Sequence, residues 1–252
     1  MDGKAEQDKT IEEEAKAHAK SIRKTVAADL LASPIGDDED PPLTIFMSGA
    51  PGAGKTEASR EMTKEFNILI VDPDDFRPLF PEYTGGNSRL FQGGVSLIVS
   101  RVFDVLVKSR KSFLLDGTSA NLGVVRSNIK RSLDKGREVR LWYVYQDPIA
   151  SWEFVKAREE IEGRGIPLKA FLDQYFKSRL VASEVKREFG DVLSVDVLVK
   201  SFNETDTEFY ENVGSVDDVC PQSRTYDDLL DALEPRSEHY DAHHGSEDRR
   251  SR

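Results

Sequence analysis

A glycine-rich segment near the start of the sequence combines the residue types that bind phosphate. Residues 49–56 read GAPGAGKT and satisfy the pattern G-x-x-x-x-G-K-[S/T] at every fixed position. In such a loop, backbone N–H groups surround the phosphates, the lysine bridges the β- and γ-phosphate oxygens, and the hydroxyl residue ligates Mg²⁺. We therefore expect a nucleoside triphosphate, ATP or GTP, with Mg²⁺ at Thr56. The predicted nucleotide-binding residues are Gly49, Ala50, Pro51, Gly52, Ala53, Gly54, Lys55 and Thr56.

The segments on either side of this loop have the character that phosphate binding requires. The apolar run LTIFMS, residues 43–48, predicts a strand before the loop, and residues 56–66 predict a helix after it. That helix would direct its positive N-terminal end at the phosphates. A glycine turn that matches the pattern by chance is the alternative, and the agreement of strand, loop and helix argues against it.

Acidic and basic residues follow the second predicted strand, where an acceptor of the phosphoryl group would bind. The run NILIV, residues 67–71, leads into Asp72, Asp74, Asp75 and Arg77. A carboxylate here can take the proton of an attacking hydroxyl group, and we predict Asp74 as this catalytic base. Arg77 can orient an anionic group of the acceptor, and Asp75 is a further predicted acceptor contact. One acid at this strand end is expected instead to cap the following turn.

Five short apolar runs alternate with helical patterns between residues 43 and 233. They predict strands at 43–48, 67–71, 112–116, 139–145 and 191–199. Alternation of this kind predicts a mostly parallel sheet with helices on both faces. The predicted fold class is α/β: a P-loop NTPase or kinase three-layer sandwich with a five-stranded sheet and an additional N-terminal helix.

The two ends of the chain fall outside this pattern. Residues 10–32 carry apolar side chains at helical spacing, and Thr10 with Glu13 predicts a capping box at the start of that helix. Residues 33–42 are rich in proline and acidic residues, which predicts a loop. We therefore predict an N-terminal helix and acidic linker at 1–42, a P-loop domain at 43–233 and a disordered tail at 234–252.

Several features within the helical segments have ordinary structural interpretations. Gly93 and Gly94 form a costly pair inside a helix, so we expect the helix to begin after them. The alternative is that the pair permits close approach of an acceptor. Asn121 is a predicted helix cap. Trp152 and Phe154 could stack on a nucleotide base, but packing in the core is the expectation for both.

The composition excludes several classes of protein. No apolar run approaches the ~20 residues of a membrane-spanning helix, and the first residues lack the apolar segment of a secretory signal. The single cysteine, Cys220, cannot form an intrachain disulfide. We therefore expect a cytoplasmic protein that does not associate with membranes.

The acidic character of the chain is confined to its borders. The sequence has 35 basic and 46 acidic residues, a net charge of −11. Residues 41–202, which hold the motifs, have 24 basic and 21 acidic residues, so their charge is 24 − 21 = +3. The acidity therefore does not argue against a phosphate-rich acceptor.

Taken in order along the chain, four motifs resemble the zeta toxin family. After the phosphate-binding loop comes IVDPDDFRPLFPEY at 70–83, where that family has an aspartate pair, a basic residue and then a proline and an aromatic residue. LLDGTSAN at 114–121 is similar to the Glu-Gly-Thr segment of zeta toxins, and FVKAREEIEGRGIP at 154–167 carries two arginines like those of the family's lid. The resemblance covers residues 43 to 199.

This resemblance implies a kinase that phosphorylates UDP-N-acetylglucosamine on the sugar 3′-hydroxyl with ATP or GTP. By the same resemblance, Asp74 is the base, Asp116 and Thr118 contact the acceptor, and Arg158 and Arg164 neutralise the transferring phosphoryl group. An arginine in that position contributes roughly 10³ to 10⁵ in rate. A solvated helix face is the alternative for the two arginines, because glutamates surround them.

The resemblance also implies an antitoxin partner, since zeta toxins are silenced by a helical antitoxin over the nucleotide site. The helix at 10–32 could inhibit in the same way in cis. The interpretation that we favour is a helix that simply docks on the sheet edge, because amphipathic helices usually serve a core. Two other functions remain open. One is a kinase acting on 5′-hydroxyl polynucleotides or modified DNA bases, and the other is a nucleotide-binding interaction module without acceptor chemistry.

Overall fold

A computed structural model of the protein describes residues 2–36, 40–64, 66–200, 207–222 and 224–234. The strands are β1 Leu43–Ser48, β2 Leu69–Val71, β3 Phe113–Leu115, β4 Glu138–Tyr145, β5 Ser194–Lys200 and β6 Thr207–Tyr210. The helices are α1 Asp2–Ala32, α2 Lys55–Met62, α3 Ser88–Leu106, α4 Leu122–Leu133, α5 Pro148–Glu162, α6 Leu168–Phe189 and α7 Tyr226–Leu233. A 3-10 helix at Pro73–Leu79 lies between β2 and α3.

The strands form one sheet in the order β2-β3-β1-β4-β5-β6. Strands β1 to β5 are parallel, and β6 runs antiparallel to β5 at the edge. The five predicted strands are thus confirmed, but the predicted count was one short. The missed strand, β6, has four residues whose side chains are mostly exposed, so its sequence lacks the apolar alternation that marks a strand.

Helices cover both faces of the sheet, as predicted. Neighbouring strand residues point to opposite faces, and β1 shows this directly, since Phe46 belongs to one buried cluster while Ile45 and Met47 belong to the other. Helices α1, α3, α4 and part of α6 pack on the Phe46 face. Helices α2, α5, α7 and the remainder of α6 pack on the opposite face. The result is a three-layer sandwich.

Helix α1 packs along α3 rather than standing apart from the sheet. Ala15, Ala19 and Ala27 are buried in the cluster on the Phe46 face. The contact needs Gly94, because a Cβ there would lie 2.8 Å from the Phe80 ring and 3.0 Å from the Ala15 carbonyl oxygen. Helix α3 is continuous from Ser88, so the expectation that it begins after Gly94 was wrong. The groups that approach Gly94 closely belong to Phe80 and α1, and not to an acceptor as the alternative supposed.

The start of α1 also differs from the prediction. The helix begins at Asp2, eight residues before Thr10, and the Thr10 hydroxyl donates to the Glu6 carbonyl oxygen at 3.0 Å inside it. The predicted capping box is therefore wrong, because the first two turns are polar and lack the apolar spacing on which the prediction relied. The division of the chain at residue 42 stays a prediction. The predicted disordered tail lies outside the described residues, apart from Glu234.

None of the helices in the described residues is long and apolar enough to cross a lipid bilayer.

Candidate active site

A cleft of ≈ 1250 Å³ opens at the carboxyl ends of the strands, where parallel α/β sheets bind their ligands. It brings together parts of the chain that are far apart in sequence. Its walls are the phosphate-binding loop at 51–57, the strand ends at 72–77 and 116–118, and the segment from α5 to the start of α6. Three of the four predicted catalytic residues line this cleft: Lys55, Asp74 and Arg158. The fourth, Arg164, is not part of its wall but makes an ion pair with Asp74.

The phosphate-binding loop takes the conformation that its glycines permit. Gly52 and Gly54 have φ values of 73° and 74°, the left-handed region. A Cβ on Gly52 would lie 2.1 Å from the Ser151 carbonyl oxygen, so α5 closes over the loop. Helix α2 begins directly after Gly54 with no side-chain cap, which leaves its first N–H groups directed at the cleft.

Lys55 lies half-buried beneath this loop. Its Nζ donates to the Ala50 carbonyl oxygen at 2.8 Å. Burial lowers the pKa of Lys55 to about 8, with the charge of Asp116 opposing this change and that of Arg158 adding to it. Bound phosphates would add to the negative charge of Asp116 and so favour the charged form of this ammonium group.

The residues present fit a Mg²⁺ ion bound with the phosphates. The Thr56 hydroxyl donates to Asp116 Oδ2 at 2.8 Å, which joins the hydroxyl of the loop to a carboxylate at the end of β3. A loop hydroxyl and a carboxylate at a neighbouring strand end are the protein ligands that P-loop enzymes use for this ion. Burial raises the pKa of Asp116, and the hydrogen bond from Thr56 opposes that rise.

The segment after β2 separates its three aspartates into different roles. Asp72 caps the 3-10 helix by accepting from the Asp74 N–H at 2.8 Å, as expected for one acid at this position. Burial raises the pKa of Asp72 to about 6, and the nearby carboxylates of Asp116 and Asp74 add to the rise. Asp75 is exposed and does not line the cleft, so its predicted acceptor contact is not found. With about three residues per turn, Asp74 and Arg77 share the cleft side and Asp75 is turned outward.

Asp74 is held by two arginines. Its Oδ1 accepts from Arg77 Nε at 2.7 Å, and its Oδ2 pairs with Arg164 Nη1 at 2.7 Å. Burial alone would raise the pKa of Asp74, but the hydrogen bonds and charges of both arginines outweigh it and hold the pKa below its ordinary value. Asp74 is therefore ionised and oriented, and Arg77 is fixed in turn by the Ser88 carbonyl oxygen at 2.9 Å.

The lid consists of α5 and residues 163–167, and it carries the other predicted arginine. Arg158 lines the cleft and lies close enough to Lys55 to lower its pKa. Arg158 Nε is buried without a hydrogen-bond partner among the described residues, so its N–H can donate to a bound anion. The tip of the lid meets the loop before α3, because a Cβ on Gly85 would lie 2.6 Å from the Glu162 carbonyl oxygen.

A second cavity of ≈ 530 Å³ adjoins the cleft on the side of β3. The two share Asp116 and the predicted acceptor contact Thr118. Much of its wall is apolar, and its amide side chains are Asn121, Asn128 and Gln174. Asn121 also caps α4, as predicted, by accepting from the Val124 N–H at 3.1 Å.

Sequence reasoning missed several residues that line the cleft, among them Gln146 and Lys200. Both stand at strand ends, after β4 and at the end of β5, and the rule that parallel strands present their carboxyl ends to ligands could have identified them. Phe154 was expected in the core. It is 42% exposed and lines the cleft, whereas Trp152 packs on Phe171 as predicted, with ring centroids 5.1 Å apart.

Helix α1 does not cover the cleft. None of its described residues belongs to the cleft wall, and an ion pair joins Asp8 of α1 to Arg89 of that wall. The structure therefore agrees with a docked helix and not with the hypothesis that residues 10–32 mask the nucleotide site. The helix docks on α3 over one face of the sheet, however, and not on the expected sheet edge.

Comparison with known proteins gives a match over most of the chain. A protein-family model described as "Zeta toxin" matches residues 30–215. The toxin PezT of Streptococcus pneumoniae serotype 4 is 30% identical over 120 residues, which are 44% of this chain and 47% of that protein. The chain thus aligns with about half the length of this curated relative.

Solved structures with a similar fold include chains of two systems. A chain of the PezAT chromosomal toxin–antitoxin system of Streptococcus pneumoniae has a TM-score of 0.64 at 20% identity, over 86% of this chain and 93% of that one. A chain of the AvrRxo1-ORF1:-ORF2 complex with ATP has a TM-score of 0.54 at 17% identity, over 89% of this chain and 71% of that one. At these identities the likeness shows the fold.

Proposed function

Because this chain belongs to the zeta toxin family, we propose that it transfers the γ-phosphoryl group of ATP or GTP to a hydroxyl group of a small-molecule acceptor. The leading acceptor is UDP-N-acetylglucosamine. The observation that carries the proposal is the meeting of Lys55, Thr56, Asp74 and Arg158 in one cleft. Each has a distinct task in phosphoryl transfer, and a module that only binds nucleotide has no need of Asp74.

Asp74 acts as the base that takes the proton of the acceptor hydroxyl. Its low pKa keeps it ionised, and Arg77 fixes its orientation. One carboxylate oxygen must lose its arginine before it can accept a proton. Since Arg77 stays on Oδ1 and orients the group, Arg164 has to leave Oδ2. The γ-phosphoryl group supplies the reason for that exchange, because its charge competes with Asp74 for the same guanidinium group.

Lys55 and Arg158 stabilise the phosphoryl group during transfer. Negative charge is spread over its oxygens in the transition state, and cations placed beforehand at those oxygens lower the barrier. Arg158 suits this task because its buried Nε has no partner in the described protein. Thr56 and Asp116 would hold Mg²⁺, which neutralises charge on the β- and γ-phosphates when it is bound.

The second cavity would hold the part of the acceptor that does not react. It begins at Asp116 and Thr118, beside the position of the base, and its volume of ≈ 530 Å³ lies in the range of small-molecule sites. The amides of Asn121, Asn128 and Gln174 offer hydrogen bonds to a polar ligand such as a nucleoside or a sugar.

We also propose a protein partner of the antitoxin class. The support is the likeness of this fold to a chain of the PezAT toxin–antitoxin system. Since α1 leaves the cleft open, inhibition would come from a separate chain. We expect the protein to co-purify with the product of a neighbouring gene. We also expect that complex to have lost nucleotide binding.

The proposed reaction is tested by offering labelled ATP with four acceptor conditions: UDP-N-acetylglucosamine, a 5′-hydroxyl oligonucleotide, NAD and no acceptor. We expect transfer to UDP-N-acetylglucosamine alone, loss of transfer in Lys55→Ala, and normal transfer in Lys64→Ala, whose side chain is exposed beside Glu61. Transfer only to the oligonucleotide would replace the proposed acceptor, and absence of transfer under every condition would leave a nucleotide-binding module.

A further inference from the structure

Lys200 and Gln146 are among the polar side chains that line the cleft without a role in the proposed reaction. Lys200 ends β5, and Gln146 directly follows β4. The strands pair in parallel with Tyr145 beside Val199, so these two residues stand next to each other at the same edge of the sheet. Gln146 is only 2% exposed, and its Oε1 accepts from the Asp147 N–H at 2.9 Å.

The ammonium group of Lys200 lies against the phosphate-binding loop. Its Nζ donates to the Gly54 carbonyl oxygen at 3.2 Å, and a Cβ on Gly54 would lie 2.1 Å from the same Nζ. The Gly54 carbonyl oxygen already accepts from the Ala58 N–H at 3.0 Å. Within the part of the chain that the structure describes, Lys200 therefore uses one of its three N–H groups on the loop, and the others can donate to a ligand.

The ammonium group of Lys200 stands at the N-terminus of α2, whose unpaired N–H groups also create positive potential there. Glu57 in the first turn of α2 offsets part of this charge. A helix N-terminus and an ammonium group that converge on one point form a site for a negatively charged ligand.

The order of the strands shows which part of the nucleotide reaches that point. Strands β3 and β2, which carry Asp116 and Asp74, lie on one side of β1, while β4 and β5 lie on the other. The γ-phosphoryl group must face Asp74 for transfer to occur. The triphosphate chain therefore leads from there across the loop, and its α-phosphate and nucleoside fall on the side of β4 and β5.

We propose that Lys200 binds the α-phosphate of the donor nucleotide. The inference rests on the proposed function, because it assumes a nucleoside triphosphate donor. A charge-assisted hydrogen bond of this kind changes affinity by about tenfold. The competing explanation is that Lys200 only supports the loop through Gly54.

Calorimetric titration with ADP and with the two diastereomers of ADPαS, in which sulfur replaces one α-phosphate oxygen, separates these explanations. The wild type should bind one diastereomer more weakly than the other. Lys200→Ala and Lys200→Gln should bind ADP about tenfold more weakly and lose most of the discrimination between diastereomers. Lys130→Ala, which removes an exposed lysine paired with Asp134, should behave as the wild type.

Each remaining outcome has one meaning. Unchanged ADP affinity in both Lys200 variants overturns the inference. Weaker ADP binding with full discrimination between diastereomers also overturns it, because Lys200 would then act only through the loop. A wild type that binds no ADP at all contradicts the proposed function itself. Thermal melting of the variants identifies any loss of affinity that comes from unfolding.

Discussion

At the scale of single residues, the setting of Asp74 governs how the site can work. Its two oxygens are each paired with an arginine, one three residues away and one in the lid. An aspartate so paired is a weak base until one arginine leaves. Arrival of the donor phosphates would therefore both orient the phosphoryl group and release the base, which links proton removal to the presence of the donor.

The sequence reveals part of this arrangement. Asp74 and Arg77 are three positions apart, so any helical turn places them together, and their pairing could be expected. Arg164 lies in the lid, and only the folded chain shows that it pairs with Asp74. The outward position of Asp75 depends on the 3-10 geometry of residues 73–79, which the amino-acid sequence alone does not predict.

Arg137 provides a test of stability away from the cleft. It is 4% exposed, donates to Thr44 Oγ1 at 2.5 Å and to the Ser109 carbonyl oxygen at 2.8 Å, and stacks 4.9 Å from the centre of the Phe113 ring. A lysine has no planar fork to satisfy these acceptors together. Arg137→Lys should lower the free energy of unfolding by about 2 to 4 kcal/mol.

Urea denaturation measures this change, and Arg110→Lys is the matched control. Arg110 is largely exposed and makes an ion pair with Asp40, so its replacement should cost less than about 0.5 kcal/mol. Equal effects of the two substitutions would contradict a structural role for the Arg137 contacts.

At the scale of elements, the loop and the parallel strands follow from local sequence, whereas the docking of α1 does not. The pattern of residues 43–56 predicts a strand, a glycine-rich turn and a lysine in that order. No local sequence pattern predicts that α1 packs on α3, because that contact depends on the absence of a side chain at Gly94. The edge strand β6 was missed for a related reason, since its pairing with β5 is a long-range contact between exposed residues.

The adjacent glycines of α3 offer a matched pair of variants. A Cβ on Gly94 would meet the Phe80 ring and the backbone of α1, whereas a Cβ on Gly93 would meet only the flexible end of Lys16 at 2.9 Å. Gly94→Ala should destabilise the protein by about 1 to 3 kcal/mol through overpacking. Gly93→Ala should be neutral or stabilising by up to about 1 kcal/mol, because alanine favours the helix.

Chemical denaturation of both variants distinguishes the two positions. If Gly94→Ala proved as stable as Gly93→Ala, α1 would not be packed against α3 as described. Because Gly93 and Gly94 are neighbours in one helix, the comparison cancels most of the change in helix propensity.

At the scale of the whole molecule, the strand order divides the cleft into two halves. Strands β2 and β3 place Asp74 and Asp116 on one side of β1, and β5 places Lys200 on the other. In the proposed function the first side receives the acceptor and the second the donor, with the phosphates on the loop after β1. The positive charge of residues 41–202, against a net charge of −11 for the chain, is consistent with two phosphate-rich ligands meeting in this cleft.

The most direct test of the account compares Asp74→Asn with Asp75→Asn in the transfer of labelled γ-phosphate from ATP to UDP-N-acetylglucosamine. The two variants remove one carboxylate each from neighbouring positions, of which only Asp74 lines the cleft. We predict that Asp74→Asn slows transfer by about 10² to 10⁴, and that Asp75→Asn, at unchanged melting temperature, transfers at the wild-type rate. Transfer by Asp74→Asn at the wild-type rate would contradict the central claim that Asp74 is the base.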